Sequence, residues 1–131
     1  MESFAGYAFA KGHSASYAVE SYQSLFLKVH FPLEYMCACI NNFGGFYRTE
    51  FYVHEARMLG ARIEAPCVNT VGMKAKVVHG TSSLFLGFNL IKDLQHASVI
   101  GFTKAREAHG PFTSLQNFVE RLRPSLQQLN I

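Results

Sequence analysis

The chain has 131 residues, a length that suits one domain or two small packed modules. Hydrophobic residues make up 49% and charged residues 16%, a balance typical of folded chains, which excludes a disordered protein. The net charge of +3 permits a nucleic-acid partner without requiring one, since nucleic-acid modules often carry a stronger and more clustered basic charge.

The cysteines and the distribution of apolar residues indicate the compartment of the protein and exclude some kinds of site. Cys37, Cys39 and Cys67 are an odd, sparse set, which argues against a disulfide framework and indicates a reducing compartment. Cys37 and Cys39 point about 200° apart on a helix, and no C-x-x-C or H-x3-H pair is present, so no metal site is predicted. Because neither a signal peptide nor a membrane-length apolar run is found, we expect a cytoplasmic protein with no membrane partner.

Two helices are predicted in the first third of the chain. Apolar residues recur at helical spacing over residues 15–29, with Ser14 in the N-cap position and Tyr22 on the face expected to enter the core. Pro32 suits the first turn of a second helix that extends to about Ile40.

A third helix and a β-hairpin follow. The helix is predicted from Thr49, as its N-cap, to Leu59, with Gly60 in the C′ position. Residues 61–68 contain a proline and are predicted as an extended connector. Two short apolar segments on either side of residues 79–82 indicate a β-hairpin.

The last third of the chain is predicted to be helical again. A helical pattern extends from about Leu90 to Glu107, and residues 109–111 (His-Gly-Pro) stop it. A last helix is predicted over residues 114–122. The predicted fold class is therefore mainly α with one small β-ribbon.

An ordered series of motifs names a family. Residues 6–17 read G-Y-A-F-A-K-G-H-S-A-S-Y, which resembles the G-Y-x-F-N-K-S-H-A-x-x-Y run of the C-family DNA polymerases, the bacterial polymerase III alpha subunits. Further segments resemble that family in the same order, namely residues 21–23, 27–35, 55–60, 66–69, 86–92 and 110–118. Each motif alone is weak, whereas the collinear series over roughly residues 4–122 is specific.

The resemblance implies three regions. These are a helical fingers segment (1–60), a connector with a β-hairpin (61–88), and a helix-hairpin-helix-like module (89–131). Such a segment of a DNA-directed DNA polymerase would help to bind the incoming deoxynucleoside triphosphate and the primer–template DNA, with the remainder of the polymerase chain as its partner. The alternative is a non-catalytic DNA-binding or interaction module of polymerase ancestry.

The family's chemistry is two-metal phosphoryl transfer, with Mg²⁺ expected in the palm of the parent polymerase and held there by aspartates. Asp93 is the only Asp in this sequence. We therefore expect no catalytic residue, metal or bound cofactor in this chain, and no activity from the chain in isolation.

A nucleotide site is implied at the start of the first helix. Lys11 and His13 precede the predicted helix with Gly12 between them, an arrangement suited to a triphosphate at a helix N-terminus. Two departures from the family weaken this prediction, since Ala10 replaces its Asn and Gly12 its Ser.

Two further candidates for this site lie on the next helical turns. Tyr17 and Gln23 are positioned to approach a base or a template phosphate. The simpler interpretation, a packed ring and a solvated amide, remains favoured for both.

DNA-binding candidates lie in the presumed hairpin and the helix after it. Lys92 and Gln95 belong to the hairpin, where the family places glycines that let backbone N–H groups approach a phosphate. Asp93 replaces the first of these glycines and adds a negative charge, so we expect weak DNA binding or a mainly structural hairpin. Lys104 and Arg106 are candidates for the DNA backbone, with a solvated helix face as the alternative.

Overall fold

A computed structural model describes residues 11–43 and 45–130 of the chain. The mainly α fold is confirmed, with a small three-stranded sheet beside the helices. The helices are α1 (Lys11–His30), α2 (Pro32–Asn41), α3 (Thr49–Met58), α4 (His96–His109), α5 (Leu115–Leu122) and α6 (Leu126–Leu129). The strands are β1 (Arg62–Glu64), β2 (Lys76–Val78) and β3 (Ser83–Phe85), and a 3₁₀ turn, Phe88–Leu90, precedes α4. Within the described ranges, no helix combines the length and the apolar character needed to cross a membrane.

Helix α1 differs from its prediction at its start and on its apolar face. Ser14 lies inside the helix, so the predicted N-cap is wrong; a polar first turn extends the helix beyond the apolar stripe that placed its start. Tyr22 is 70% exposed, so the prediction that it enters the core is also wrong. Val19 and Val29 on the same helix are exposed too, because no described element packs over this face.

Helices α2 and α3 pack on the sheet to form the first core. Pro32 opens α2 as predicted, and the buried side chains of Met36 and Ile40 face α3 and the strands. Arg48 rather than Thr49 is the N-cap of α3, a difference of one residue. Gly60 follows α3 at a φ of 95°, the left-handed conformation that glycine adopts without strain.

The predicted hairpin is confirmed, and a third strand joins it. Strands β2 and β3 pair antiparallel, with Val77 opposite Leu84. Strand β1 pairs parallel to β3, with Ile63 opposite Leu84, so the strand order is β1-β3-β2. The extended conformation predicted for residues 61–68 agrees with β1, but its pairing was not predicted, since a three-residue strand has too little alternation to reveal a distant parallel partner.

A second core lies between the loop after β1, the 3₁₀ turn and helices α4 and α5. It consists of Val71, Phe88, Val99, Phe102 and Phe112. The loop between β1 and β2 contributes to both cores, with Ala75 in the first and Val71 in the second. The predicted region boundaries at residues 60 and 88 stay a prediction.

Two asparagine side chains hold loop segments in place, each by bonding to both the N–H and the carbonyl of one residue, as a neighbouring strand would. The side chain of Asn41 accepts from the N–H of Ala75 at 2.7 Å and donates to its carbonyl at 2.9 Å. Asn69 makes the same pair of bonds with the backbone of Phe112, both at 2.8 Å. Asn69 ends the P-C-V-N motif, and its role is to fix that loop against the segment that leads into α5.

Helix α4 begins later than predicted. The 3₁₀ turn ends at Leu90, and a loop separates it from the start of α4 at His96. The helical pattern from Leu90 is therefore wrong over this loop, where the motif comparison had placed a hairpin. The end of α4 is as predicted, since Gly110 follows it at a φ of 76°, and Ser114 caps α5 by accepting from the N–H of Asn117 at 3.0 Å. Helix α6 was not predicted.

Candidate nucleic-acid interface

The loop of residues 91–95, hereafter the hairpin, connects the 3₁₀ turn to α4. Asp93 at its centre has a φ of 63°, a left-handed conformation that glycine, asparagine and aspartate tolerate best. This backbone explains why a glycine suits the position. Lys92 and Asp93 both expose their side chains to solvent, so a cation and an anion share the tip of the hairpin.

The hairpin presents the N-terminus of α4, where backbone N–H groups lack helical partners and favour an anion. Gln95 is the N-cap of α4, and its own side chain does not cap the helix. Gln128 of α6 does so instead: its amide oxygen accepts from the N–H of Gln95 at 2.8 Å and from the hydroxyl of Ser98 at 3.3 Å. The amide nitrogen of Gln128 donates to the carbonyl of Asp93 at 3.3 Å.

The two basic candidates further along α4 are not brought to the hairpin. Arg106 is half-buried and donates from Nη1 to the carbonyls of Val68 and Val71, at 2.7 and 2.9 Å. Lys104 is exposed, and it lies about 12 Å along the axis from the start of α4 at 1.5 Å per residue. The guanidinium of Arg106 thus holds the loop after β1, whereas Lys104 remains open to solvent.

Arg121 is a structural residue that sequence reasoning missed. Its Nη2 donates to the carbonyl of Ala105 and, at 3.2 Å, to that of Gly110, and its guanidinium carbon lies 4.2 Å from the centre of the Phe112 ring. These contacts fasten α5 to the C-terminal end of α4. No local pattern signals them, because Ala105 and Gly110 are 16 and 11 residues away in the sequence.

The structure unites only part of the candidate nucleotide site. The side chain of Lys11 and the motif residues 6–10, Ala10 included, lie outside the described residues. The rings of His13 and Tyr17 are one helical turn apart on α1, 4.5 Å between centres, and both side chains are exposed. Gln23, also exposed, follows His13 by ten residues, which is about 15 Å along the helix, so it does not share their site.

The three cysteines are free thiols, and each is at least partly buried. Cys37 is buried in the first core and donates to the carbonyl of Ala75 at 3.3 Å. Burial raises the pKa of Cys37 and that of Cys39, which disfavours the reactive thiolate. In residues 11–43 and 45–130, no group of three or more His, Cys, Asp or Glu side chains is arranged to hold a metal ion.

Comparison with known families agrees with this geometry. A family model described as a helix-hairpin-helix motif matches residues 60–131, which include the hairpin and the helices around it. The chain belongs to this helix-hairpin-helix family.

The chain also resembles individual proteins over nearly its whole length. It is 37% identical over 123 residues, 93% of the chain, to the DNA polymerase III subunit alpha of Thermus aquaticus. It is 36% identical over 99% of the chain to that of Pseudomonas fluorescens, and 34% identical over 93% to that of Xylella fastidiosa. The chain spans about a tenth of the length of these curated relatives, from 10% to 11%. The resemblance to polymerase III alpha subunits inferred from the motifs is confirmed.

Proposed function

We propose that this chain is the fingers segment and the adjoining DNA-binding module of a DNA-directed DNA polymerase. The observation that carries the proposal is the hairpin at the N-terminus of α4, within a chain that resembles polymerase III alpha subunits over 93% or more of its length. The hairpin would contact the backbone of primer–template DNA, and the region around α1 would contact the incoming deoxynucleoside triphosphate. The Mg²⁺ ions of phosphoryl transfer would be held by the remainder of the polymerase, since this sequence has a single Asp.

The charges at the hairpin support weak, non-specific binding to duplex DNA. Lys92 offers an exposed cation, and the N-terminus of α4 adds a partial positive charge. Asp93 opposes both at the same loop tip. Backbone contacts of this kind position a protein on DNA without selecting a sequence.

We expect the chain to bind duplex DNA with a dissociation constant of ~10⁻⁴ to 10⁻⁶ M at physiological salt, weakening steeply as salt rises. Asp93→Asn should tighten binding about fivefold, because a charge about 4 Å from a phosphate contributes about 1 kcal/mol even in water. Fluorescence anisotropy with a labelled duplex measures both. Glu107→Gln is the matched control, since it removes the same charge from an exposed position near the far end of α4. Tight, sequence-specific binding by the unmodified chain would contradict this prediction.

In the complete polymerase, Lys11→Ala and His13→Ala should each impair use of the nucleotide more than binding of primer–template. A hydrogen bond to a charged group contributes about 1.5–3 kcal/mol, so kcat/KM for nucleotide should fall roughly 10- to 100-fold. Steady-state kinetics with varied nucleotide, together with a thermal melt, measure this effect. Glu20→Ala is the control, being a charged and exposed residue of the same helix. Unchanged kcat and KM with normal melting would remove Lys11 and His13 from the site.

A further inference from the structure

The side chain of Gln128 occupies two of the donors at the start of α4, one backbone N–H and one hydroxyl. The amide oxygen of Gln128 accepts from the Gln95 N–H at 2.8 Å and the Ser98 hydroxyl at 3.3 Å. Its amide nitrogen donates to the Asp93 carbonyl at 3.3 Å. An N–H at a helix start and a nearby hydroxyl are the donors that a phosphate oxygen takes in such a position. The Gln128 side chain therefore acts as a neutral, internal ligand of the hairpin.

The rest of α6 is attached unevenly. Leu126 is 79% exposed, whereas Leu129 is 36% exposed and therefore mostly covered. Between α6 and the helices α4 and α5 lies a cavity of about 480 Å³, lined mainly by apolar side chains that include Phe118 and Leu129. Because this cavity leaves the packing beneath α6 incomplete, the hydrogen bonds of Gln128 contribute to its attachment to the hairpin.

We propose that Gln128 is an intramolecular latch, which holds α6 over the hairpin and must be displaced before a DNA phosphate binds there. The proposal rests on the DNA-binding function proposed above. Displacement is feasible because an ionised phosphate forms stronger hydrogen bonds to the same donors than a neutral amide oxygen does. The latch and the charge of Asp93 would both weaken DNA binding by the hairpin, the latch by competition and Asp93 by electrostatic repulsion.

The test compares Gln128→Ala with Gln127→Ala, the adjacent and exposed glutamine, in the full 131-residue chain. Gln128→Ala should bind a labelled duplex about 3- to 10-fold more tightly, the range expected when competing neutral hydrogen bonds are removed. Gln127→Ala should bind as the unmodified chain does. Gln128→Glu should bind more weakly, since a carboxylate in this position is a stronger acceptor and repels phosphate.

Amide hydrogen exchange of Gln95, followed by NMR without DNA, reports on the latch independently of binding. Exchange should be faster in Gln128→Ala and unchanged in Gln127→Ala. If exchange quickens while DNA affinity stays constant, or if both alanine variants tighten binding equally, the latch is disproved. If Asp93→Asn binds DNA more tightly than the unmodified chain while Gln128→Ala shows no gain in affinity, the latch alone is overturned. Failure of every variant to bind DNA at low salt would overturn the proposed DNA-binding function together with the latch.

Discussion

Gly87→Ala is expected to destabilise the chain by about 3 kcal/mol or more, the upper end of the range for forced overpacking. A Cβ at this position would lie 2.3 Å from the carbonyl oxygen of Met73 and 2.6 Å from the nitrogen of Ala75. Both are backbone atoms that cannot rotate away. Two hydrogen bonds hold these backbone segments together. The N–H of Phe88 donates to the carbonyl of Gly72 at 3.0 Å, and the N–H of Asn89 donates to that of Met73 at 3.1 Å.

Chemical denaturation followed by circular dichroism measures this effect. Gly101→Ala is the matched control, because a Cβ there meets no atom within 4 Å and the residue lies inside α4. The control should be stabilised by about 0.5–1 kcal/mol through its gain in helix propensity. Equal unfolding midpoints for Gly87→Ala and the unmodified chain would show that residues 72–75 do not approach this closely.

Arg121→Met is expected to cost about 2–4 kcal/mol of unfolding free energy, since it removes charged hydrogen bonds and a contact of the cation with an aromatic ring. The carbonyls of Ala105 and Gly110 would lose their donor at the end of α4, where the helix dipole favours a cation. Methionine keeps most of the length and apolar stem of arginine, so the loss reports on the guanidinium and not on a cavity.

The control for this substitution is Arg123→Met, which removes the same charge from an exposed side chain two residues later. Thermal and urea unfolding of both variants should separate them by at least about 1.5 kcal/mol, the lower value for one charged hydrogen bond. Similar losses in the two variants would mean that net charge, and not the contacts of Arg121, sets the stability of this region.

Local features were sufficient to predict several elements. Apolar spacing of 3.6 residues predicted the helix around residues 15–29, because one turn of helix is decided by neighbours three and four residues away. Pro32, which suits a first helical turn, predicted the start of the next helix. The turn at residues 79–82 predicted the antiparallel pair β2 and β3, whose partners are close in sequence. Collinear motifs placed a hairpin at residues 92–96, against the helical pattern that extends over them.

Long-range contacts could not be predicted in this way. β1 is recognisable only beside β3, from Arg62 opposite Ser83 to Glu64 opposite Phe85. Arg106 has its carbonyl partners 38 and 35 residues away, and nothing in its own segment distinguishes it from a solvated arginine.

By itself, the sequence determined the mainly α class, the order of helices α1 to α5 and the family, because these depend on local periodicity and on residue types in a fixed order. Only the tertiary structure decided which polar groups are already satisfied. Gln128 reaches Gln95 across 33 residues of sequence, and Tyr22 lies on an apolar stripe that no described element covers. A side chain's periodic position indicates which face it occupies, whereas burial and hydrogen bonding depend on what the rest of the chain places against that face.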